Sequence, residues 1–245
     1  MIFNTVPPLA DIIPQGAGAH NAIYRGKYLG SKVTDDQWAA ISAGTFDDLY
    51  IGDYWTIGGV NYRIAAFDYY LNTGDTKCTE HHIVIVPDSA LYTAAMNAQA
   101  TNATGYLGSD MRTKNLDKAK TTIDTAFAGH VLSHREYLVN AVSNGISSGS
   151  VFADCEIELM SEPMVFGSYV FSAGSSANSI PYNYRIEKGQ LPVFFHNPVL
   201  ATIGSNYWLR DTIFTDRFSF VNAYGNSDYG RAPNVYGVRP VFCLC

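Results

Sequence analysis

The residues with the most obvious metal chemistry form a short cluster, Cys78-Thr-Glu-His81-His82. A thiolate and two imidazoles are ligands that Zn²⁺ accepts. However, His81 and His82 begin an apolar run that predicts a strand, and neighbouring side chains on a strand point to opposite faces. Both imidazoles therefore cannot easily reach one ion. We predict a structural role for this cluster and no metal site.

Two further groups could support hydrolysis. Ser133 and His134, with His130 nearby, suggest a nucleophile and its base. Glu156 and Glu158 suggest a pair of acid–base carboxylates on one face of a strand. The chain lacks the G-x-S-x-G turn that presents a catalytic serine in many hydrolases, and Ser133 begins a Ser-x-x-Glu pattern typical of a helix N-terminus. We therefore predict no catalytic residues, with a hydrolase built on His134 and the two glutamates as an alternative.

The four cysteines, Cys78, Cys155, Cys243 and Cys245, are too few and too scattered for a disulfide framework. Cys243-Leu-Cys245 could be redox-active. A pair at the end of a terminal strand is better explained as one buried and one frayed thiol. We predict reduced thiols.

The stretch FSFVNAYGNSDYGRAPNVYGVRP, starting at Phe218, has the composition of a contact surface. Tyr gives rigid contact area in binding loops, while Ser, Gly and Asn adapt their hydrogen bonds. Ordinary turns use the same residue types. From Leu209 to Cys245 there is also no Lys, Glu, Gln, Met or Trp. Those five types are the ones that a codon with any first two bases and a pyrimidine third base cannot encode, as expected if adenines in Asn-type codons are randomised.

Residues that look fixed alternate with candidates for variation in this region. An apolar scaffold carrying interchangeable polar and Tyr positions tolerates change without unfolding. The predicted core anchors are Trp208, Phe218, Phe220, Val238 and Val241, with Arg239 as a structural hydrogen-bond donor. The predicted ligand-binding residues are Phe214, Asp216, Arg217, Ser219, Asn222, Tyr224, Asn226, Asp228, Tyr229, Arg231, Asn234 and Tyr236.

Local signals predict the elements that position these residues. Thr34-Asp-Asp-Gln37 is a capping box that opens a helix ended by Gly44. Gly58-Gly59 predicts a hairpin between two strands. Leu116, Ala119, Ile123 and Phe127 recur at helical spacing. Ser133–Glu136 predicts a second capped helix that ends near Gly145, followed by loops at 143–150 and 172–179. Strands are predicted at Tyr50–Ile57, Val60–Phe67, His82–Val86, Tyr207–Asp211, Arg217–Tyr224 and Gly237–Leu244.

The composition of the chain limits its partners. Hydrophobic residues make up 47% of the 245 residues, enough for a sizeable core. Only 16% are charged, and the net charge of -6 comes without a Lys/Arg stripe, so we expect no nucleic-acid or membrane partner. The N-terminus lacks a basic region and is broken by prolines, so we expect no signal peptide and assembly in a bacterial cytoplasm.

The chain divides into two parts by composition. Residues 1–23 are rich in Pro, Gly and Ala without periodicity, and predict an attachment or oligomerisation arm. Residues 24–245 predict one domain, with a variable C-terminal segment at 207–239. Early helices and strands from both ends predict an α+β fold in which N- and C-terminal strands pair.

Several motifs resemble one family. "YWLRD" from Tyr207, followed by "YGVRPVFCL" from Tyr236, resembles the end of phage and gut-bacterial proteins with a C-type-lectin-like fold, related in architecture to formylglycine-generating-enzyme domains. "IYRGKYLG", "GTFDDLYIGDYWTIGGVNYRIAAFDYYLNTGD" and "HHIVIVPD" resemble phage tail-type minor structural proteins carrying that domain. The resemblance spans Ile23 to Cys245. It implies mixed and antiparallel strands with two or more flanking helices.

The resemblance also implies a function. It suggests a phage or prophage-encoded receptor-binding (adhesion) protein of the virion tail or surface, whose C-terminal segment is a variable region diversified by a diversity-generating retroelement. The implied partners are a bacterial cell-surface protein or glycan and other virion proteins. Multivalency raises avidity when single sites are weak, so we expect a homo-oligomer such as a trimer.

Two differences from the motifs of related families limit the activities that the resemblance implies. Calcium-dependent lectins have Glu-Pro-Asn and Trp-Asn-Asp motifs, where this chain has Glu162-Pro163-Met164 and Trp208-Leu209-Arg210, so calcium-mediated sugar binding is not carried over. Cys243-Leu-Cys245 does not match the catalytic cysteines of formylglycine-generating enzymes. We expect no enzyme activity and no cofactor. A structural tail or head-decoration protein, and an enzyme of the formylglycine-generating type, are the further alternatives.

Overall fold

The computed structural model describes residues 16–172 and 189–245. These residues form the mixed α+β structure that the sequence predicts. The strands are β1 (Tyr28–Gly30), β2 (Tyr54–Ile57), β3 (Val60–Phe67), β4 (Ile83–Pro87), β5 (Tyr92–Ala95), β6 (His134–Ser143), β7 (Ile146–Cys155), β8 (Ile157–Leu159), β9 (Tyr207–Ile213), β10 (Arg217–Val221), β11 (Ser227–Arg231), β12 (Val235–Val238) and β13 (Pro240–Leu244). The helices are α1 (Ala17–Asn21), α2 (Asp35–Ala43), α3 (Asp117–Ala126), α4 (Glu162–Phe166) and α5 (Pro192–His196), with a π-helical turn at Met111–Asn115 and a 3₁₀ turn at Pro198–Ala201.

The predicted capping box and hairpin are both present. The Thr34 hydroxyl accepts a hydrogen bond from Gln37 N, the Gln37 side chain accepts one from Thr34 N, and α2 ends at Gly44. Gly58 and Gly59 have positive φ and join β2 to β3 in an antiparallel hairpin. The apolar positions Leu116, Ala119, Ile123 and Phe127 are all buried.

The first sheet joins the two ends of the chain. Its order is β1-β2-β3-β4-β13-β8, and β13 pairs antiparallel with β4, placing Phe242 opposite Ile85. This confirms the predicted pairing of N- and C-terminal strands. The second sheet has the order β11-β10-β9-β12-β5. Most pairs are antiparallel, while β1 with β2 and β12 with β9 are parallel.

The prediction of a second capped helix is wrong. Residues from His134 onward instead form β6, which pairs with β7 in a long hairpin, so the predicted loop at 143–150 is also mostly strand. His134, Glu136 and Leu138 face inward along β6, and the buried partners of the two polar residues favour a strand over the local capping pattern. Of the second predicted loop, at 172–179, residues 173–179 lie outside the described part of the chain.

Helix α1 belongs to the folded body. Its His20 is buried, and Asn21 exchanges two 2.9 Å side-chain hydrogen bonds with the backbone of Phe67 in β3. The segment 16–23, which the sequence assigns to the arm, is therefore packed on the first sheet. Residues 1–15 lie outside the described part of the chain.

One hydrophobic core connects both sheets. Trp55 from the first sheet and Trp208 from the second are fully buried, and Phe127 packs edge-to-face on Tyr62 with ring centroids 5.0 Å apart. Across residues 16–172 and 189–245, no helix has the length and hydrophobicity needed to cross a bilayer.

Candidate ligand-binding surface

The β10–β11 hairpin presents most of the predicted contact residues at the edge of the second sheet. Its register places Ser219 opposite Tyr229 and Phe220 opposite Asp228. The predicted anchors Trp208, Phe218, Phe220, Val238 and Val241 are all buried, which confirms their assignment to the core. Every predicted contact residue except Ser219 keeps a partly or largely exposed side chain. Anchors and contacts are therefore separate sets on the same strands.

The backbone of the β9–β10 turn is hydrogen-bonded to a buried amide side chain. Asn102 donates Nδ2 hydrogen bonds to the carbonyls of Ile213, Phe214 and Arg217 at 3.2, 3.2 and 2.8 Å. Phe214 has φ of 51° and a half-exposed ring. A Cβ at Gly145, in the β6–β7 turn, would lie 2.9 Å from the Phe214 Cα, so the tip of that hairpin closes on this turn. The Phe214 ring is thus presented from a rigid base.

The turn after β10 presents the most exposed large side chain. The Asn222 side-chain oxygen accepts from Tyr224 N at 3.0 Å and Asn226 N at 3.1 Å. Thr202 donates to the carbonyl of Ala223 at 2.9 Å and fastens the turn to the body. The Tyr224 side chain is 87% exposed. Asn222 therefore organises the turn, and Tyr224 is its contact residue.

One face of the hairpin carries an aromatic row. The Tyr229 ring lies edge-to-face between Phe171, at 5.1 Å, and Phe214, at 5.5 Å. The Arg217 guanidinium lies 5.2 Å from the Tyr229 ring centroid and 5.5 Å from that of Phe214. Asp216 pairs with Arg231 at 3.0 Å and lies 3.5 Å from Arg217 Nε. This face can offer aromatic stacking and guanidinium hydrogen bonds to a ligand.

The other face carries a second group. Tyr236 packs on the buried rings of Trp208 and Phe220 at 4.5 and 4.6 Å, and its hydroxyl accepts a 3.0 Å bond from Asn234. A Cβ at Gly230 would lie 2.9 Å from the Tyr236 ring, so only glycine allows this close approach. The predicted contacts therefore occupy two faces and a tip rather than one continuous patch.

Ser219 lies beneath the surface, which corrects its assignment as a contact residue. Its side chain is fully buried and its hydroxyl donates to Glu162 Oε1 at 2.8 Å. Alternation along β10 places Ser219 on the same face as Tyr229, but α4 and the chain after it cover that position. Residues 168–172 were not assigned to the surface from the sequence, although Phe171 is one of its rings.

The Cys78–His82 cluster is structural. His82 Nε2 accepts from Tyr70 N at 3.0 Å, and Nδ1 lies 2.9 Å from the carbonyl of Glu80, to which it donates. Burial lowers the pKa of His82 to about 4 and raises that of Cys78 to about 11. His81 instead points outward to Asp68, at 2.8 Å. No three potential metal ligands converge within the described residues.

The proposed hydrolase residues differ in burial. Ser133 is exposed, whereas the buried His134 lies 3.1 Å from Glu136 Oε1. Burial alone would raise the pKa of Glu136, but the ion pair with Arg210 and the hydrogen bond with His134 hold it well below its usual range. Ser133 lines two neighbouring depressions, one with His134 and the other with the two glutamates of that hypothesis.

Glu156 and Glu158 are not a matched pair. Glu156 is exposed, while Glu158 is buried and accepts from Tyr106 at 2.7 Å and from Arg112 at 2.9 Å. Burial raises the pKa of Glu158 despite the nearby guanidinium. Both of its oxygens are occupied by these structural partners. The two carboxyls therefore lie in different environments, one buried and hydrogen-bonded and the other exposed.

The four cysteines are free thiols in the structure. Cys78, Cys155 and Cys243 are buried, and Cys245 is half-buried. Cys245 N donates to the carbonyl of His130 at 3.0 Å, so the end of the chain is hydrogen-bonded to the body. Burial raises the pKa of Cys155 and Cys243 well above the usual thiol value, which disfavours thiolate chemistry.

No family model, no curated protein and no solved structure matches this chain.

Proposed function

We propose that this protein is a receptor-binding protein of a phage or prophage-encoded particle, and that the surface formed by β9–β12 binds a ligand on a bacterial cell. The main observation behind this proposal is that buried anchor residues and exposed contact residues are separate sets in the C-terminal quarter. Buried anchors hold the strands, while Tyr, Asn, Asp and Arg side chains on the same strands reach solvent. Substituting the exposed set leaves the anchors untouched.

The exposed set has the chemistry of a binding surface. Tyr224, Tyr229 and Phe214 offer large contact area with few rotatable bonds, so ordering them on binding costs little entropy. Arg217 and Arg231 offer planar forks for carboxylates or carbonyls. The turn at Asn222 and the buried amide of Asn102 hold these groups in place before the ligand arrives.

The placement on a particle rests on the motif resemblance. "YWLRD" and "YGVRPVFCL" contain both buried anchors, such as Trp208, and a structural hydrogen-bond donor: Arg239 donates to the carbonyl of Pro87 at 2.8 Å. We infer that the α+β fold belongs to the C-type-lectin-like class and that retroelement diversification acts on residues 207–239. The absence of Lys, Glu, Gln, Met and Trp after Trp208 supports this mode of variation.

A staining experiment tests the function. Fluorescently labelled protein is incubated with a panel of bacterial strains, and bound fluorescence is measured by flow cytometry. We expect at least one strain to be stained, and a Tyr224→Ala/Tyr229→Ala double variant to stain it about ten-fold less. Tyr28→Ala is the matched control, because it removes a half-exposed ring at the edge of the other sheet.

Three outcomes would contradict the proposal in different ways. If no strain is stained, receptor binding fails. If the double variant stains like the control, binding uses another surface. If the chain copurifies with particles and Tyr224 is protected there from nitration, the structural or decoration role replaces it. Separately, a gene neighbourhood without a reverse transcriptase and an adenine-rich near-copy of the segment would remove the diversification hypothesis.

A further inference from the structure

A chain segment outside the C-terminal quarter lies against the candidate surface. After α4 the chain turns at Gly167, which has φ of 80°, and runs to Phe171. Phe171 is 47% exposed, close to the 52% of Phe214, and both rings contact Tyr229 edge-to-face. Val170 beside it is 49% exposed. The aromatic row therefore has a member that lies outside residues 207–239.

One buried carboxylate holds this segment. Glu162 Oε2 accepts hydrogen bonds from the backbone N–H groups of Val170, Phe171 and Ser172 at 2.9, 3.3 and 3.1 Å. Three successive amides converge on one oxygen, so the position of Phe171 depends on this acceptor.

The second oxygen of the same carboxylate holds the hairpin. Glu162 Oε1 accepts from Ser219 Oγ at 2.8 Å and Ser227 Oγ at 3.0 Å, with Phe171 N also 3.3 Å away. Ser219 and Ser227 come from neighbouring strands of the candidate surface. Glu162 is fully buried and is thus a bridge between the segment and the hairpin. Because all five donors belong to the protein, its lone pairs are already engaged.

We propose that Phe171 is a specificity-determining residue of the binding surface and that Glu162 is the residue that positions it. This inference rests on the proposed ligand-binding function. Phe171 supplies a constant aromatic contact beside the interchangeable positions of the hairpin. Glu162 never touches the ligand. It fixes the distance between the Phe171 and Tyr229 rings by holding the backbone on both sides.

Two variants separate positioning from general stability. Glu162→Leu removes the acceptor for the amides of residues 170–172, because leucine has a similar size and no side-chain oxygen. Ser219→Ala removes a partner of Oε1 only, and its fully buried side chain cannot contact a ligand. Both variants are expected to lower the melting temperature. Hydrogen–deuterium exchange at residues 170–172 should quicken at least ten-fold in Glu162→Leu and stay near wild type in Ser219→Ala.

Binding is then measured on cells of a strain that the labelled wild-type protein stains. Phe171→Ala and Glu162→Leu are expected to weaken staining about five-fold. Ser219→Ala, Phe171→Tyr and the distant Tyr28→Ala should stain like wild type. Phe171→Tyr keeps the ring and so distinguishes an aromatic contact from disturbance of the backbone.

Each outcome tests one part of this proposal. Normal staining by Phe171→Ala overturns the specificity role, and unchanged exchange at residues 170–172 in Glu162→Leu overturns the positioning role. Loss of staining in Ser219→Ala equal to that in Glu162→Leu would show that only stability matters. If wild-type protein stains no strain, the proposed function itself fails, and Phe171 has no binding role to determine.

Discussion

The buried His82 makes stability depend on pH in a defined window. Its imidazole is fully buried, accepts a hydrogen bond at Nε2 and donates one at Nδ1, so the neutral form is satisfied on both sides. A second proton would break the bond from Tyr70 N and leave a buried charge. Burial therefore lowers the pKa of His82 in the folded protein to about 4, against 6.5 for the free side chain.

The sign and size of the effect follow from linkage. Between pH 6.5 and 4 the unfolded chain binds a proton at His82 that the folded protein does not, so unfolding is favoured as pH falls. The stabilisation is complete above pH 6.5 and is lost towards pH 4. The whole shift corresponds to about 3 kcal/mol, of which about 2 kcal/mol is lost by pH 5.

Urea unfolding of wild type and His82→Gln at pH 7.5 and pH 5.0 measures this effect. A glutamine can keep one acceptor and one donor but takes up no proton. We expect the free energy of unfolding to fall by about 2 kcal/mol more in wild type than in the variant. Glu158, whose pKa is raised, is present in both proteins, so its contribution to the loss of unfolding free energy cancels in this comparison. Equal losses in the two proteins would refute the reasoning.

Three further predictions concern the surface and its anchors. Ser219→Ala should lower the free energy of unfolding by about 2 kcal/mol, because a hydrogen bond to the buried Glu162 carboxylate is lost. Asn226→Ala, at an exposed turn position, should change it by less than about 0.5 kcal/mol in the same urea assay. Arg239→Lys should cost about 2 kcal/mol by chemical unfolding, since lysine cannot reach the carbonyl of Pro87 and stack on aromatic rings together; a cost below about 0.5 kcal/mol would contradict this. Gly230→Ala should lower the melting temperature by several degrees, because the added methyl meets the Tyr236 ring, and an unchanged melting curve would show that the ring moves aside at no cost.

The separation of anchors from contacts has a consequence for variation. Phe218 and Phe220 alternate with Arg217, Ser219 and Val221 along β10, so a strand period of two decides which positions can change. Ser219 breaks the simple rule, because its outward face is covered by the chain that Glu162 holds. A randomised surface therefore excludes this position, even though its residue type and spacing match its neighbours.

Local signals predicted the elements whose partners are close in sequence. The capping box at Thr34 satisfies its own amides within four residues, and Gly58-Gly59 can adopt the backbone of a tight hairpin whatever surrounds it. The same locality misled the interpretation of Ser133–Glu136. The inward positions of β6 include His134 and Glu136, so the alternation that marks a strand was hidden by polar residues whose partner, Arg210, lies far along the chain.

The sequence by itself determined the composition of the candidate surface and the anchors beneath it, because apolar residues at strand spacing must face the core. It also identified Arg239 as a structural hydrogen-bond donor. Only the tertiary structure decided that Ser219 is covered and that Phe171 completes the aromatic row. Each of these depends on which distant segment packs against the strand. That choice is made by the burial of Glu162 and Asn102 against backbone groups of other segments, which no local pattern encodes.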